Sequence, residues 1–246
     1  HVSNEGRVRP RVAGSTPRAT AFWPPFLGTL LIGIANGSVE AACNPLVATI
    51  YSTEKTKMLN RFHMWFPGGN VIGGLIAYLM IDSMQLSWQV LMGVLLVPAV
   101  IYGILFFSQK FPQTERAASG ISYKGMLKAC VGPLFIFMVL CMFLTASTEL
   151  GTGQWIEALL KQAGVSAILV FVFINFIMAI GRLFAGPVVH RLNPAGMLLF
   201  SAIFAALGLF WLSRASGYEA FAAAFVFAVG VCYFWPTMLG FVSEYI

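Results

Sequence analysis

The sequence predicts an all-α polytopic membrane protein with seven transmembrane helices, and three observations lead to this fold class. The chain has 246 residues, of which 59% are hydrophobic and 10% are charged, and its mean hydropathy is +0.82. Soluble domains carry about 25% charged residues because polar groups must cover their surface, so this composition excludes a soluble enzyme. The other two observations are the spacing of the apolar stretches and the placement of Lys and Arg between them.

The apolar stretches follow one another along the chain, and a helix needs about 20 apolar residues to cross the hydrocarbon core of a bilayer. They cover residues 23–50, 64–81, 88–108, 129–148, 165–187, 195–213 and 219–243. The spacers between them are short except for 109–128. This longer polar spacer predicts a division into three helices within residues 22–108 and four helices within residues 129–246.

The Lys and Arg residues between the predicted helices indicate the orientation. One side of the membrane receives Lys55, Lys57, Arg61, Lys110, Arg116, Lys124, Lys128, Arg182 and Arg191. The opposite side receives only Lys161 and Arg214. Because cytoplasmic loops carry an excess of Lys and Arg, the loops 51–63, 109–128 and 182–194 are predicted to be cytoplasmic. The net charge of +6 then reflects membrane orientation rather than a nucleic-acid partner.

Residues 1–21 differ from the rest of the chain, because they lack apolar periodicity and the hydrophobic core of a signal peptide. Their arginines are Arg7, Arg9, Arg11 and Arg18, which this topology places outside the cell. The chain begins with His1 and ends at Ile246, where the last predicted helix ends. We therefore expect an internal fragment of a longer protein with a tail foreign to the native sequence. A disordered native arm is the alternative.

The first predicted helix carries polar side chains within the membrane. Asn36, Glu40 and Asn44 recur every four residues and therefore share one helical face, and Pro45 removes a backbone donor after them. An ionisable residue in lipid normally faces a bundle interior or a water-filled cavity, and lipid favours its neutral form. Glu40 is thus the candidate for proton coupling. The alternative is a Glu paired with a basic group of a neighbouring helix, although no Lys or Arg lies mid-membrane in the predicted helices.

Glu149 lies at the predicted external end of the fourth helix, just before Gly151 and Gly153. Glycines at this point allow the unwound helix that transporters use at substrate sites, so Glu149 is a candidate for substrate binding. The alternative is a solvated loop acid beside Trp155 as an interfacial anchor.

Four further polar or aromatic residues are candidates for substrate binding. Asn36 and Asn44 share the face of Glu40, His63 opens the second predicted helix, and Trp235 precedes Pro236 in the last one. An aromatic side chain that lines a cavity can stack on a sugar. An interfacial His63 and a tightly packed Trp235 are the alternatives.

The stretch that joins the fifth and sixth predicted helices contains two glycines and two arginines, Gly181, Arg182, Gly186 and Arg191. The glycines permit close helix approach, and the cations can cap helix C-termini or pair across the bundle. The pattern favours a gating or packing role over ordinary positive flanking of the helices.

The sequence lacks the residue patterns of an enzyme. Its three histidines are His1, His63 and His190, with no HExxH, GxSxG or paired-Asp motif, so we expect no metal, no cofactor and no catalytic residues. The cysteines Cys43, Cys130, Cys141 and Cys232 all lie within apolar runs without a CxxC pair. They are typical of small buried apolar residues rather than disulfides.

Four stretches together resemble the major facilitator superfamily, in particular its fucose–galactose–glucose:proton symporter branch. Residues 33–45, GIANGSVEAACNP, are similar to the fourth helix of that branch, and residues 59–74 to its fifth helix. Residues 149–155 resemble the seventh helix, and residues 181–191 resemble the loop between helices eight and nine. The resemblance implies that the chain covers helices four to ten of twelve.

The resemblance implies a major-facilitator-type helix bundle and proton-coupled uptake by alternating access, with Glu40 matching the proton-linked membrane acid. The expected partners are a small polar solute, protons and the lipid bilayer. The expected setting is a monomer in a bacterial inner membrane. The chain departs from the branch at His63, where the family places a Gln implicated in sugar contact. The resemblance favours a monosaccharide as the solute, and the departure at His63 leaves another small polar metabolite open.

The helix count alone suggests a second class, a seven-helix receptor or photoreceptor. The basic central spacer and the absence of a Lys in the middle of a predicted helix, which retinal would need, argue against it. On the transporter interpretation the 246-residue chain lacks part of each bundle, so we expect it not to transport by itself.

Overall fold

The computed structural model describes residues 19–113, 118–160 and 164–245, and these ranges contain helices and no strand. The helices are α1 (Ala19–Ile50), α2 (Lys55–His63), α3 (Trp65–Ala77), α4 (Trp88–Phe107), α5 (Tyr123–Ala129), α6 (Pro133–Ala146), α7 (Thr152–Leu160), α8 (Ala167–Leu183), α9 (Ala185–Leu212), α10 (Glu219–Val231) and α11 (Phe234–Tyr245). Two π-helical turns, Tyr78–Ser83 and Ser147–Gly151, continue α3 and α6. Most of the predicted tail, Arg116 and Lys161 lie outside the described residues.

Contacts divide the chain into one unit that ends at Cys43 and a second that begins at Asn44. The first unit contributes the amino-terminal part of α1. The packing and the cavities described below belong to the second unit. The predicted division on either side of residues 109–128 stays a prediction.

Within the described residues, six helical stretches are long and apolar enough to cross a membrane. They are Phe22–Ile50, Lys55–Ile81, Trp88–Phe107, Pro133–Ile156, Ala185–Leu212 and Glu219–Glu244. The remaining predicted span is helical too, but α8 has only 17 residues. Large apolar side chains point outward, with Phe107 94% and Leu144 70% exposed, which is the surface that lipid covers. The predicted all-α polytopic membrane fold is confirmed.

The predicted loop 51–63 is wrong over most of its length, because residues Lys55–His63 form helix α2. Thr56, Leu59, Asn60 and His63 are its buried residues. They recur with the spacing i, i+3, i+4, i+7 of an amphipathic helix, and the charged residues between them are partly or fully exposed. The buried face packs against α11, which is why this charged segment is ordered as a helix.

The predicted loop 182–194 is also largely helical. Helix α9 begins at Ala185, and a break occurs at Asn193, whose φ of 53° is left-handed. The Asn193 Oδ1 accepts a hydrogen bond from the Gly196 backbone N–H at 2.9 Å, and Pro194 suits the first turn that follows. The apolar part of α9 therefore starts next to the predicted boundary at residue 195.

The fourth and last predicted spans also differ from expectation. The fourth does not end at residue 148, because the π-helical turn Ser147–Gly151 leads directly into α7. Glu149 consequently lies in the middle of a long helical segment instead of at its external end. The last span is interrupted between Val231 and Phe234, and Pro236 lies in the first turn of α11, where its missing N–H costs little.

The core is closest packed where α9 crosses α10. A Cβ on Gly208 would collide with the backbone of Phe227, and one on Gly230 would collide with the backbone of Ala205. Small residues at such crossings allow helix backbones to approach closely in lipid. Helix α3 packs against α8 in the same unit, and this contact brings Asn70 to Asn175.

Candidate functional site

A buried ion pair joins Arg182 to Glu149. The Arg182 Nη2 lies 2.9 Å from the Glu149 Oε1, and the two side chains are 1% and 9% exposed. Arg182 belongs to the last turn of α8, and Glu149 belongs to the π-helical turn between α6 and α7. Buried charges require a partner and hydrogen bonds, so this pair fixes the packing of α8 against the π-helical turn.

Arg182 also binds two backbone carbonyls from other segments. Its Nε donates to the Cys232 carbonyl at 2.6 Å, and its Nη1 donates to the His63 carbonyl at 3.2 Å. His63 ends α2 and Cys232 follows α10, and carbonyls at helix C-termini lack intrahelical partners. We call Arg182, Glu149 and these two carbonyls the Arg182 cluster.

The position of Arg182 corrects one expectation. It was predicted within the loop 182–194, yet Arg182 is a buried residue in the last turn of α8. The count of Lys and Arg residues between predicted helices assigns each cation to the nearest polar spacer. It does not detect a guanidinium whose donors are satisfied by carbonyls and a carboxylate from distant segments.

A polar cavity of about 250 Å³ lies beside the ion pair. Its polar lining comes from Asn70, Glu149, Thr152, Gln154 and Asn175. Its apolar lining comes from α3, α8 and α10 and includes Phe66, Phe171, Ile174, Met178 and Phe227. An apolar pocket with a few polar groups that fix orientation is typical of a small-molecule site.

Two asparagines form a bridge across this cavity wall. The Asn70 Nδ2 donates to the Asn175 Oδ1 at 2.9 Å, and the Asn175 Nδ2 donates to the Phe171 carbonyl at 2.9 Å. The bridge orients both amides and links α3 to α8. Together with the carboxylate of Glu149 and the hydroxyl of Thr152, they offer donors and acceptors that suit the hydroxyl groups of a solute.

Of the predicted substrate-binding residues, the structure places Glu149 in the polar cavity. The sequence interpretation missed Asn70, Thr152, Gln154 and Asn175. A signal existed for two of them, because Asn70 and Asn175 are amides within otherwise apolar helices, and polar residues at such depth mark functional positions. What the sequence does not reveal is that α3 and α8 pack together.

His63 and Asn44 lie next to each other, outside the residues that line the polar cavity. The His63 Nε2 is 2.9 Å from the Asn44 Oδ1, and His63 is 4% exposed. The His63 side chain is therefore buried in the bundle rather than interfacial. Its backbone carbonyl connects it to Arg182.

Trp235 lies beside a different cavity. That cavity, of about 360 Å³, has an entirely apolar lining that includes Met138, Met142 and Met238. The lining of this cavity offers no polar group that would orient a sugar. Its predicted role in stacking on a sugar stays a prediction.

Asn36 and Glu40 lie in the first unit and are described within α1 alone. Both belong to one continuous helix, as their spacing predicts. Asn36 is exposed and Glu40 is half-buried. Their predicted roles in solute binding and proton coupling stay predictions.

The residues of the predicted gating segment have separate surroundings. The Tyr233 hydroxyl donates to the Gly181 carbonyl at 3.3 Å, and a Cβ on Gly181 would press on the Cys232 sulphur, so the predicted close approach is present. Gly186 is buried beneath the aliphatic part of Lys57, whereas Arg191 is exposed. Gating itself stays a prediction.

The charged end of α2 makes two further contacts. The Lys57 Nζ lies 2.7 Å from the Glu54 Oε1, and this hydrogen bond lowers the pKa of the exposed Glu54 carboxyl below its usual value. The Glu244 Oε1 of α11 accepts hydrogen bonds from the Thr56 backbone N–H at 2.9 Å and from the Thr56 hydroxyl at 2.8 Å. A carboxylate thus satisfies an orphan donor in the first turn of α2.

Comparison with known proteins gives one match. The sequence model of the Major Facilitator Superfamily matches residues 13–246, which include all the described residues. No curated protein and no solved structure matches the chain. The match favours the transporter interpretation over the seven-helix receptor.

Proposed function

Since the chain belongs to the major facilitator superfamily, a family of membrane transporters, we propose that it moves a small polar solute by proton-coupled symport. The proposed solute is a monosaccharide, and the proposed setting is a monomer in a bacterial inner membrane. The single observation that supports solute binding is the polar cavity between α3, the π-helical turn, α7, α8 and α10.

The size and chemistry of the cavity favour a small hydroxylated solute. Pockets for drug-sized ligands hold about 300–1,000 Å³, and this cavity of about 250 Å³ lies below that range. The Asn70 and Asn175 amides supply oriented hydrogen-bonding groups, and Phe66, Phe171 and Phe227 supply apolar surface for the carbon-bound faces of a sugar. The carboxylate of Glu149 is already neutralised by Arg182, so a neutral solute is favoured over an ion.

The proposed proton site is Glu40. Protonation neutralises its carboxylate and removes the cost of holding that charge in lipid. A ligand shifts a conformational equilibrium by binding one state better than the other. Proton and solute bound together therefore favour the change from the outward-open to the inward-open conformation. In transporters of this kind, the two halves of the protein then rock around a site at the membrane midplane.

The test is solute uptake by proteoliposomes of the complete protein that contains this sequence. A pH gradient with an alkaline interior is imposed, and labelled L-fucose, D-galactose and D-glucose are supplied one at a time, with L-alanine as a non-sugar control. We expect accumulation of at least one sugar and its loss when a protonophore is added. Accumulation that follows a sodium gradient and ignores the pH gradient would refute proton coupling, and accumulation of L-alanine alone would refute the sugar assignment.

A further inference from the structure

We propose that Glu149 is a second proton-binding residue, whose protonation releases Arg182 and thereby couples the polar cavity to the packing of α2, α8 and α10. The inference deepens the proposed transport function, on which it rests. It starts from the double position of Glu149, whose side chain lines the cavity and pairs with Arg182.

The backbone around Glu149 suits a residue that changes partner. Ser147–Gly151 forms a π-helical turn inside an otherwise α-helical segment, and such turns are frequent at functional sites. The wider turn places Leu150, Thr152 and Gly153 at the cavity together with Glu149. A solute in the cavity therefore meets the same short segment that holds the acid.

Arg182 transmits the state of Glu149 to other segments. Its guanidinium donates to the carbonyl that ends α2, to the carbonyl that follows α10 and to the Glu149 carboxylate. The three bonds share one rigid planar group, so a change at one of them moves the other two. Hydrogen bonds of the Arg182 cluster thus connect the cavity residue Glu149 to helices α2, α8 and α10.

Protonation changes the charge balance of this cluster. A proton from water adds to a carboxylate oxygen of Glu149, which becomes a neutral acid, and it returns to water when the carboxylate re-forms. In the protonated state the guanidinium is a buried charge without a counter-charge from Glu149. Such a charge is strongly disfavoured in an apolar interior, so Arg182 shifts toward water or another acceptor and its bonds to the two carbonyls loosen.

The other titratable groups around the pair are engaged elsewhere. The titratable groups near the ion pair include His63 and Cys232, which interact with Arg182, and Tyr233, which interacts with Cys232. The His63 ring is bonded to Asn44, the Cys232 thiol donates to the Met178 carbonyl, and the Tyr233 hydroxyl donates to the Gly181 carbonyl. Glu149 is the group of this set that bonds directly to the guanidinium through its side chain.

The first experiment is infrared difference spectroscopy of the complete purified protein during acidification. Because Glu40 is itself a proposed proton site, the variants are compared in the Glu40→Gln background. In that background we expect a carboxylic-acid carbonyl band that shifts in Glu149→Asp and disappears in the Glu149→Gln/Arg182→Gln double variant. A band that is unchanged in the double variant, or no acid-induced band in Glu40→Gln itself, would overturn the proposal.

The second experiment measures the link through Arg182. Backbone hydrogen exchange is compared at one pH for wild type, Glu149→Gln and the control Glu219→Gln, which changes an exposed acid in the first turn of α10. We expect at least tenfold faster exchange around residues 61–64 and 230–234 in Glu149→Gln, and wild-type exchange there in Glu219→Gln. Unchanged protection in Glu149→Gln would overturn the link, and where that variant does not fold, the infrared result for Glu149→Asp and the double variant decides.

Neither experiment uses a transported solute, so the outcome is independent of the proposed function. If no sugar accumulates in proteoliposomes but the band belongs to Glu149, the transport proposal fails and the proton site stands. If a sugar accumulates with protons and the band does not belong to Glu149, the pair is only a structural contact.

Discussion

Arg182 and Glu149 form an ion pair inside the helix bundle, with 2.9 Å between Nη2 and Oε1, although they are 33 residues apart in the sequence. Arg182 also binds the carbonyls of His63 and Cys232, so the pair joins four segments of the chain. Because removal of one charge leaves the other buried, the contribution of the pair is measured correctly only when both charges are changed together.

Replacement of Arg182 by Leu is expected to destabilise the protein strongly. It leaves the Glu149 carboxylate buried without a counter-charge, and breaking a buried pair in this way costs about 3–5 kcal/mol. The measurement is the free energy of unfolding, or the midpoint of thermal unfolding, in detergent micelles.

The matched control is the Arg182→Leu/Glu149→Gln double variant, which removes both charges. It should recover most of the stability that the single variant loses. If the single variant is as stable as the double variant, the carboxylate is not held as a charge in the interior.

Replacement of Gly208 by Ala should destabilise the crossing of α9 and α10. The added Cβ would collide with the backbone of Phe227, and overpacking of this kind costs about 1–3 kcal/mol. The same change at Gly93 in α4 meets no neighbouring atom within 4 Å. There it should stabilise the helix by about 0.5–1 kcal/mol because Ala favours helix more than Gly does.

Thermal unfolding of the two variants in the same detergent checks this pair of expectations. Equal midpoints for Gly208→Ala and Gly93→Ala would contradict the close approach of α9 to α10.

The helices could be predicted from sequence because apolar runs are a local signal. Each predicted span contains a helix, including α9, whose membrane-spanning part begins beside Pro194. The errors occur where charged residues are ordered by packing. Helix α2 was assigned to a loop because its Lys and Arg residues give the segment a polar composition, although Thr56 and Leu59 belong to a buried face.

The site could be predicted only in part. Glu149 was identified because an acid beside glycines in an apolar region is a local signal. The Asn70–Asn175 bridge and the bonds of Arg182 depend on which helices pack together, and composition and spacing do not encode that choice. The functional residues that were missed are therefore those defined by contacts across the bundle.

Replacement of Asn175 by Ala should weaken solute binding more than it slows transport. It removes the amide that bonds to Asn70 in the cavity wall, and one neutral hydrogen bond contributes about 0.5–1.5 kcal/mol. We expect KM for the transported sugar to rise by up to about tenfold, with kcat changed by less than about twofold.

The control is Gln109→Ala, which removes an exposed amide that is not part of the cavity lining. It should leave both constants at their wild-type values. A loss of kcat with unchanged KM in Asn175→Ala would place Asn175 in the conformational step instead of the binding site.

Replacement of Glu40 by Gln tests the proposed proton site directly. A neutral amide imitates the protonated acid and cannot release a proton, so accumulation driven by a pH gradient should fall to the background level. Exchange of labelled for unlabelled sugar at equal concentrations requires no net proton movement and should continue. Both rates are measured in proteoliposomes of the complete protein.

Glu54→Gln is the matched control, because Glu54 is exposed and paired with Lys57 on the surface. Its substitution removes the same charge and should leave accumulation intact. If Glu40→Gln accumulates sugar as well as Glu54→Gln does, Glu40 is not the coupling residue. Loss of accumulation in Glu149→Asp would then assign proton coupling to the Arg182 cluster, because the shorter acid keeps its charge but has a weaker contact with the guanidinium.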